Sequence, residues 1–137
     1  MTSPLLGIDL GQRRTGVALS LTGFLSSPLT TIEHNPPHLH SLFEHLTKII
    51  KEHEVVTIVV GDPRSADGSE NEQTKWVNTA VNQLSHHLEK TISWPLSFER
   101  VDEYHSSLDA ADLFPGVDKD SAAAALILQD YLESHES

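Results

Sequence analysis

The run Val55 to Val60, VVTIVV, is the densest stretch of β-branched residues in the chain and leaves few options for its fold. Branching at Cβ stiffens a side chain in a helix and suits a pleated surface. A strand that is apolar at nearly every position, rather than at every second one, has to be covered on both faces. It therefore predicts a central strand between two layers of helix. The flanking segments supply the rest. Leu5 to Leu10 is short, apolar and bounded by Pro4 and Gly11, which predicts a second buried strand. Thr15 to Ser20 and Phe24 to Glu33, separated by the turn signal Thr22-Gly23, extend it as a meander that Pro36-Pro37 breaks. Leu39, Leu42, Phe43, Leu46, Ile49 and Ile50 recur at helical spacing, as do Val77, Ala80, Val81, Leu84 and Leu88. Pro95 opens another strand, Leu96 to Val101. Ser107 to Leu113 is a short helical piece, stopped by Pro115-Gly116. Ser121 to Leu132, SAAAALILQDYL, has the strongest helix propensity in the chain.

This order, βββαβαβα with a short helix before the last, predicts an α/β fold. It is a five-stranded mixed sheet, with three antiparallel strands followed by alternating helices and strands, flanked by helices. The 137 residues fit one domain, taken as residues 1–137. No run of 18 apolar residues is present, so no transmembrane helix is expected, and Met1-Thr2-Ser3-Pro4 does not open a signal peptide. Absence of cysteine removes disulfides and thiolate metal sites and suits a reducing cytoplasm.

Against this apolar frame the carboxylates stand out. Asp9 lies inside the first strand, where aspartate is depleted and a buried charge costs several kcal/mol unless it is paired. Asp102-Glu103 ends the last strand, and Asp118 and Asp120 precede the last helix. Ligands of open α/β sheets gather beyond the carboxyl ends of the strands. If the first and last strands are close, these acids converge there and need a cation between them. Hard divalent ions take oxygen ligands, and two such ions can drive phosphodiester hydrolysis. Each acid also has a plainer reading. Asp120 can cap the last helix, Asp102 or Glu103 can be a solvated strand end, and Asp9 can pair with Arg13 or Arg14.

The charge opposes a nucleic-acid substrate. With 9 Lys and Arg against 20 Asp and Glu, the formal net charge is −11, which repels a polyanion at long range. Arg13, Arg14 and Arg64 are the basic residues expected in neighbouring loops. Lys48, Lys51, Lys75 and Lys90 read as solvated helix faces. Nine histidines include the cluster His34, His38 and His40 and the pair His86-His87, but no second ligand group stands at zinc-site spacing.

Four ordered segments, GIDLGQRRTGVALS, VVGDPRSADGSENEQ, VDE and DSAAAALILQDYLE, resemble those of the YqgF (RuvX) family over nearly the whole chain. These are small bacterial Holliday-junction-resolvase-like proteins, also described as nucleases of the ribosomal RNA precursor. The resemblance implies a ribonuclease H-like fold and a nuclease dependent on Mg²⁺ or Mn²⁺. Its substrate would be pre-16S rRNA, through maturation of the 5′ end, or branched DNA, and its partners could include ribosomal precursor particles. By motif it places the catalytic, metal-binding acids at Asp9, Glu103 and Asp120. The family's arginine after Asp-Glu is replaced here by Tyr104, and the segment LFPGVDKD holds only Lys119 as a base. A non-catalytic member that binds ribosomal precursor or a protein therefore stands as the alternative. A more distant likeness, confined to the first motif, links the chain to the phosphate loop of the actin, sugar kinase and chaperone ATPase superfamily.

Overall fold

The computed structural model of the protein describes residues 3–35, 38–63, 69–102 and 114–135. Five strands, β1 (Leu5–Leu10), β2 (Arg14–Ser20), β3 (Ser27–Glu33), β4 (Thr57–Asp62) and β5 (Ser97–Asp102), form one sheet in the order β3-β2-β1-β4-β5. β1, β2 and β3 are antiparallel neighbours, whereas β1, β4 and β5 run parallel. This is the mixed sheet that the element order predicts. β1 and β5 are not adjacent, however: β4 lies between them, which sets them two strand spacings, roughly 9–10 Å, apart.

Two helices, α1 (His40–His53) and α2 (Glu72–Thr91), cover one face of the sheet. Their apolar stripes meet Leu6, Ile8, Val17, Ile58 and Val60, all fully buried. A third helix, α3 (Lys119–Ser134), covers the other face, over Leu5, Ala18 and Val59. Alternation in the strands explains the division, because successive side chains point to opposite faces. In β4, Ile58 and Val60 face α1 and α2 while Val59 faces α3, so VVTIVV is covered on both sides as its composition requires. Burying each of these side chains stabilises the fold by about 1.5–3 kcal/mol.

α3 lies close because the sheet presents glycine beneath it. A Cβ built on Gly7 would stand 2.7 Å from Leu128 Cβ and 2.9 Å from the Ala124 carbonyl oxygen. One built on Gly16 would stand 1.8 Å from the carbonyl oxygen of Asp120. The β2–β3 hairpin is fastened to the same helix. Gln129 accepts from the Ser26 N–H at 2.9 Å and donates to the Phe24 carbonyl at 3.0 Å, and the Ser26 hydroxyl donates to the Ala125 carbonyl at 2.6 Å. β3 is an edge strand. Its register skips Leu29 between the pairs Val17–Thr30 and Ala18–Pro28, a bulge beside a proline without an N–H, and both blunt an open edge.

Candidate nuclease site

The carboxyl ends of the parallel strands β1 and β4 and the start of α3 meet at one end of the sheet. Asp9 sits opposite Gly16 in the β1–β2 register and therefore points to the face that α3 covers. Asp120 lies in the first turn of α3, against Gly16. Asp9 and Asp120 thus flank one glycine from two elements, each of them half-buried. Arg14, two residues before Gly16 on the same face, reaches Asp120 with its Nε 3.2 Å from Oδ2. The plain reading in which Arg13 or Arg14 serves Asp9 gives way, for Arg14, to this pair with Asp120.

The plain reading of Asp120 as the cap of the last helix is overturned. Asp118 is the N-cap: it accepts from the Ser121 N–H at 3.0 Å, from the Ser121 hydroxyl at 2.7 Å, and from the Thr31 hydroxyl of β3. Desolvation pushes its carboxyl up, but the hydrogen bonds from Thr31, Ser121 and the Asp120 backbone outweigh it and hold the group below its ordinary value of 3.8. Asp120, two residues on, carries no capping duty. Replacing Asp118 by Ala should cost about 0.5–2 kcal/mol of stability. The native-state value is depressed, so this contribution is complete above the unfolded value and is lost as pH falls through the lowered one. Thermal melts of parent and Asp118→Ala should therefore differ clearly at pH 7 and converge at a pH below the lowered value. An equal gap at both pH values would show that the carboxylate charge plays no part in the cap.

Of the other candidates, Asp102 pairs in register with Asp62, on the face opposite Asp9. There Arg100 approaches Asp62 at 3.6 Å and donates to Asn78 of α2 at 2.9 Å. Glu103 and Arg64 lie outside the described residues. So do Asp67 and Gly68 of the Asp-Gly-Ser loop and the short helical piece read at Ser107 to Leu113. The ends of the 64–68 connection are held together: Asn71, the N-cap of α2, donates to the Pro63 carbonyl at 2.9 Å while accepting from the Thr74 N–H at 2.8 Å. Lys48, Lys51, Lys75 and Lys90 are exposed on α1 and α2, as their spacing predicts. Trp94 is half-buried and donates from Nε1 to the Val55 carbonyl at 2.7 Å, and Trp76 packs against the core. The histidine cluster is dispersed. His34 is buried against Thr15, with Oγ1 and Nε2 2.9 Å apart, and burial lowers its pKa. His40 pairs with Glu44.

Among the described residues no group of three His, Cys, Asp or Glu is placed to hold a metal ion. The two described members of the expected set, Asp9 and Asp120, nonetheless offer oxygen donors alone, the donor type of a hard divalent cation. Beside these acids opens a feature that the sequence reading did not include. A cavity of about 560 Å³ is lined by Arg13, Arg14, Glu33, His34 and Asn35. Only the i, i+2 relation of Ile32 and His34, which turns a histidine towards the buried face, hinted at it. No helix among the described residues is long and apolar enough to cross a membrane.

Comparison with known proteins adds the following. The family model RuvX, described as Holliday junction resolvase, matches residues 3–134. A protein of Rippkaea orientalis named "Putative pre-16S rRNA nuclease" is 40% identical over 139 residues, covering 94% of each chain. One of the same name from Thermoanaerobacter pseudethanolicus is 33% identical over 138 residues, covering 97% of this chain and 98% of the relative. In structure the chain is similar to Thermus thermophilus RuvC in complex with a Holliday junction substrate. The TM-score is 0.65 at 10% identity, with 96% of this chain and 94% of the other covered. It is also similar to the yeast mitochondrial Holliday junction resolvase, with a TM-score of 0.53 at 15% identity over 98% of this chain and 82% of the other. The shared fold is ribonuclease H-like.

Proposed function

Since the chain belongs to the RuvX family of Holliday junction resolvases, we propose that it is a divalent-metal-dependent nuclease that hydrolyses phosphodiester bonds. Its reaction is 5′-end maturation of pre-16S rRNA, with resolution of branched DNA as the related activity of the same site. The observation that carries this reading is the placement of Asp9 and Asp120 on either side of Gly16, at the carboxyl ends of the parallel strands. The match over residues 3–134 extends far beyond the first loop, on which the likeness to the kinase and ATPase superfamily rests.

Asp9, Glu103 and Asp120 would hold one or two Mg²⁺ or Mn²⁺ ions, which supply an activated water and stabilise the leaving oxygen. The remaining work falls to the chain itself. Asp9 is carried by a strand hydrogen-bonded on both sides, so its carboxylate is positioned before substrate arrives. Arg14 holds Asp120 in the first turn of α3 and brings a guanidinium to the edge of the acidic group. Arg13, Arg14 and Arg64 are the groups assigned to phosphate contact. With a net charge of −11, these few cations bind substrate locally while the rest of the surface repels it.

The direct test is to incubate the protein with pre-16S rRNA and with four-way DNA junctions, with and without Mg²⁺ or Mn²⁺. Cleavage of precursor RNA that needs the ion is expected. Binding without cleavage, in either metal, would leave the chain as a non-catalytic member of its family.

A further inference from the structure

The cavity beside the acids carries two kinds of group that a simple phosphate site would not combine. Arg13 and Arg14 are cationic donors. Glu33, directly across the strand pair from Arg14, is an exposed carboxylate, and Asn35 brings an amide. Among the described residues neither Arg13 nor Glu33 has a side-chain hydrogen-bond or ion-pair partner, and Arg14 pairs with Asp120 rather than with Glu33. A carboxylate in a site for an anion alone is a cost, since like charges repel. It is of use if the ligand presents a hydroxyl a short way from its phosphate, for a carboxylate accepts strongly from an O–H.

The floor of the cavity is firm. The His34 N–H donates to the Arg13 carbonyl at 2.9 Å, and the His34 ring, 6% exposed, meets Thr15. The volume, about 560 Å³, suits a ligand the size of one nucleotide. Arg14, which lines the cavity, also pairs with Asp120. A sugar-phosphate is a ligand that matches cationic donors beside a carboxylate and an amide, and the 2′-hydroxyl is the group by which a protein tells RNA from DNA.

We propose that this cavity reads the sugar of a nucleotide flanking the bond to be cut. Arg13 takes the phosphate, and Glu33 and Asn35 engage the 2′-hydroxyl, so the strand seated there is RNA. The proposal rests on the nuclease reading above and names the substrate class of that site.

The test is binding in EDTA, where nothing is cut, of labelled single-stranded oligonucleotides of one sequence in three sugar forms: ribose, deoxyribose and 2′-O-methyl ribose. The parent protein should prefer ribose to either of the others by about tenfold, the ratio that one hydrogen bond to a charged group supplies. Glu33→Ala and Asn35→Ala, at exposed positions, should each reduce that ratio to about twofold or less, with melting temperatures near that of the parent. Arg13→Ala should weaken all three forms and leave the ratio intact. If Glu33 acts only as a repulsive charge, its removal tightens all three forms equally and preserves the ratio, which overturns the proposal. No sugar preference in the parent, or no measurable RNA binding, overturns it as well. A chain that shows the preference yet cleaves nothing keeps the cavity and loses the nuclease; one that cleaves without preference does the reverse.

Discussion

Asp9→Asn should abolish metal-dependent cleavage, with a fall of at least two to three orders of magnitude, the loss seen when one electrostatic contact to a reacting centre is removed. The amide keeps the shape of the carboxylate and loses the charge that draws a divalent ion. The fold should survive, since Asp9 is only half-buried and its strand is carried by Leu6, Ile8 and Leu10 on the other face. A melting temperature within a few degrees of the parent is the control. Glu103→Gln and Asp120→Asn should fall to the same floor, because acids sharing one ion fail as a unit. Cleavage by the Asn variant at the parent rate would place the activity away from Asp9.

Gly16→Ala is the second large effect, and it reaches the site through the backbone. The added Cβ would meet the Asp120 carbonyl oxygen at 1.8 Å, its carbon at 2.3 Å and the Ser121 nitrogen at 2.9 Å. None of these is a flexible side-chain end, so α3 has to lift. Overpacking of this kind costs about 1–3 kcal/mol and more where the neighbour is rigid. A fall in melting temperature of roughly 10 °C is expected for a chain of this size, together with loss of cleavage because Asp120 moves with the helix. Gly23→Ala is the contrast. It strains a residue at φ 83° but meets nothing within 4 Å, so it should cost about 1 kcal/mol and leave cleavage unchanged. A Gly16→Ala variant as stable and active as the parent would mean that α3 does not rest on β2 as described.

Much of this was legible in the sequence, for reasons that differ from element to element. Leu5–Leu10 is a strand at the predicted residues because proline and glycine bound a short apolar run. α2 begins at Glu72, five residues before the first periodic apolar position, because its opening turn is polar and is fixed by Asn71 rather than by packing. β3 begins at Ser27 instead of Phe24 because Thr22 and Gln129 take the backbone N–H groups of Phe24, Leu25 and Ser26. That competition comes from side chains, one of them over a hundred residues away, which no local pattern reports. The same holds at the site. An aspartate within an apolar strand announces itself, as Asp9 does. Asp120 reads as a cap because it immediately precedes Ser121, but a hydroxyl from another strand helps to hold Asp118 in that place instead. The pairing of Glu33 with Arg14 depends on a register shifted by the bulge at Leu29, which neither strand encodes alone.

That α3 closes the face over Leu5, Ala18 and Val59 has a consequence for biosynthesis. The meander β1–β2–β3 pairs strands close in sequence and can form as soon as it is made, whereas α3 has to return across more than a hundred residues to reach Ser26. Until it does, Leu5, Ala18 and Val59 face water, and Asp9 waits beside a bare Gly16. The step that buries the second core is therefore the step that delivers Asp120. A nascent chain, or one clipped ahead of Lys119, lacks both together, so folding and the assembly of the acidic site finish in the same event.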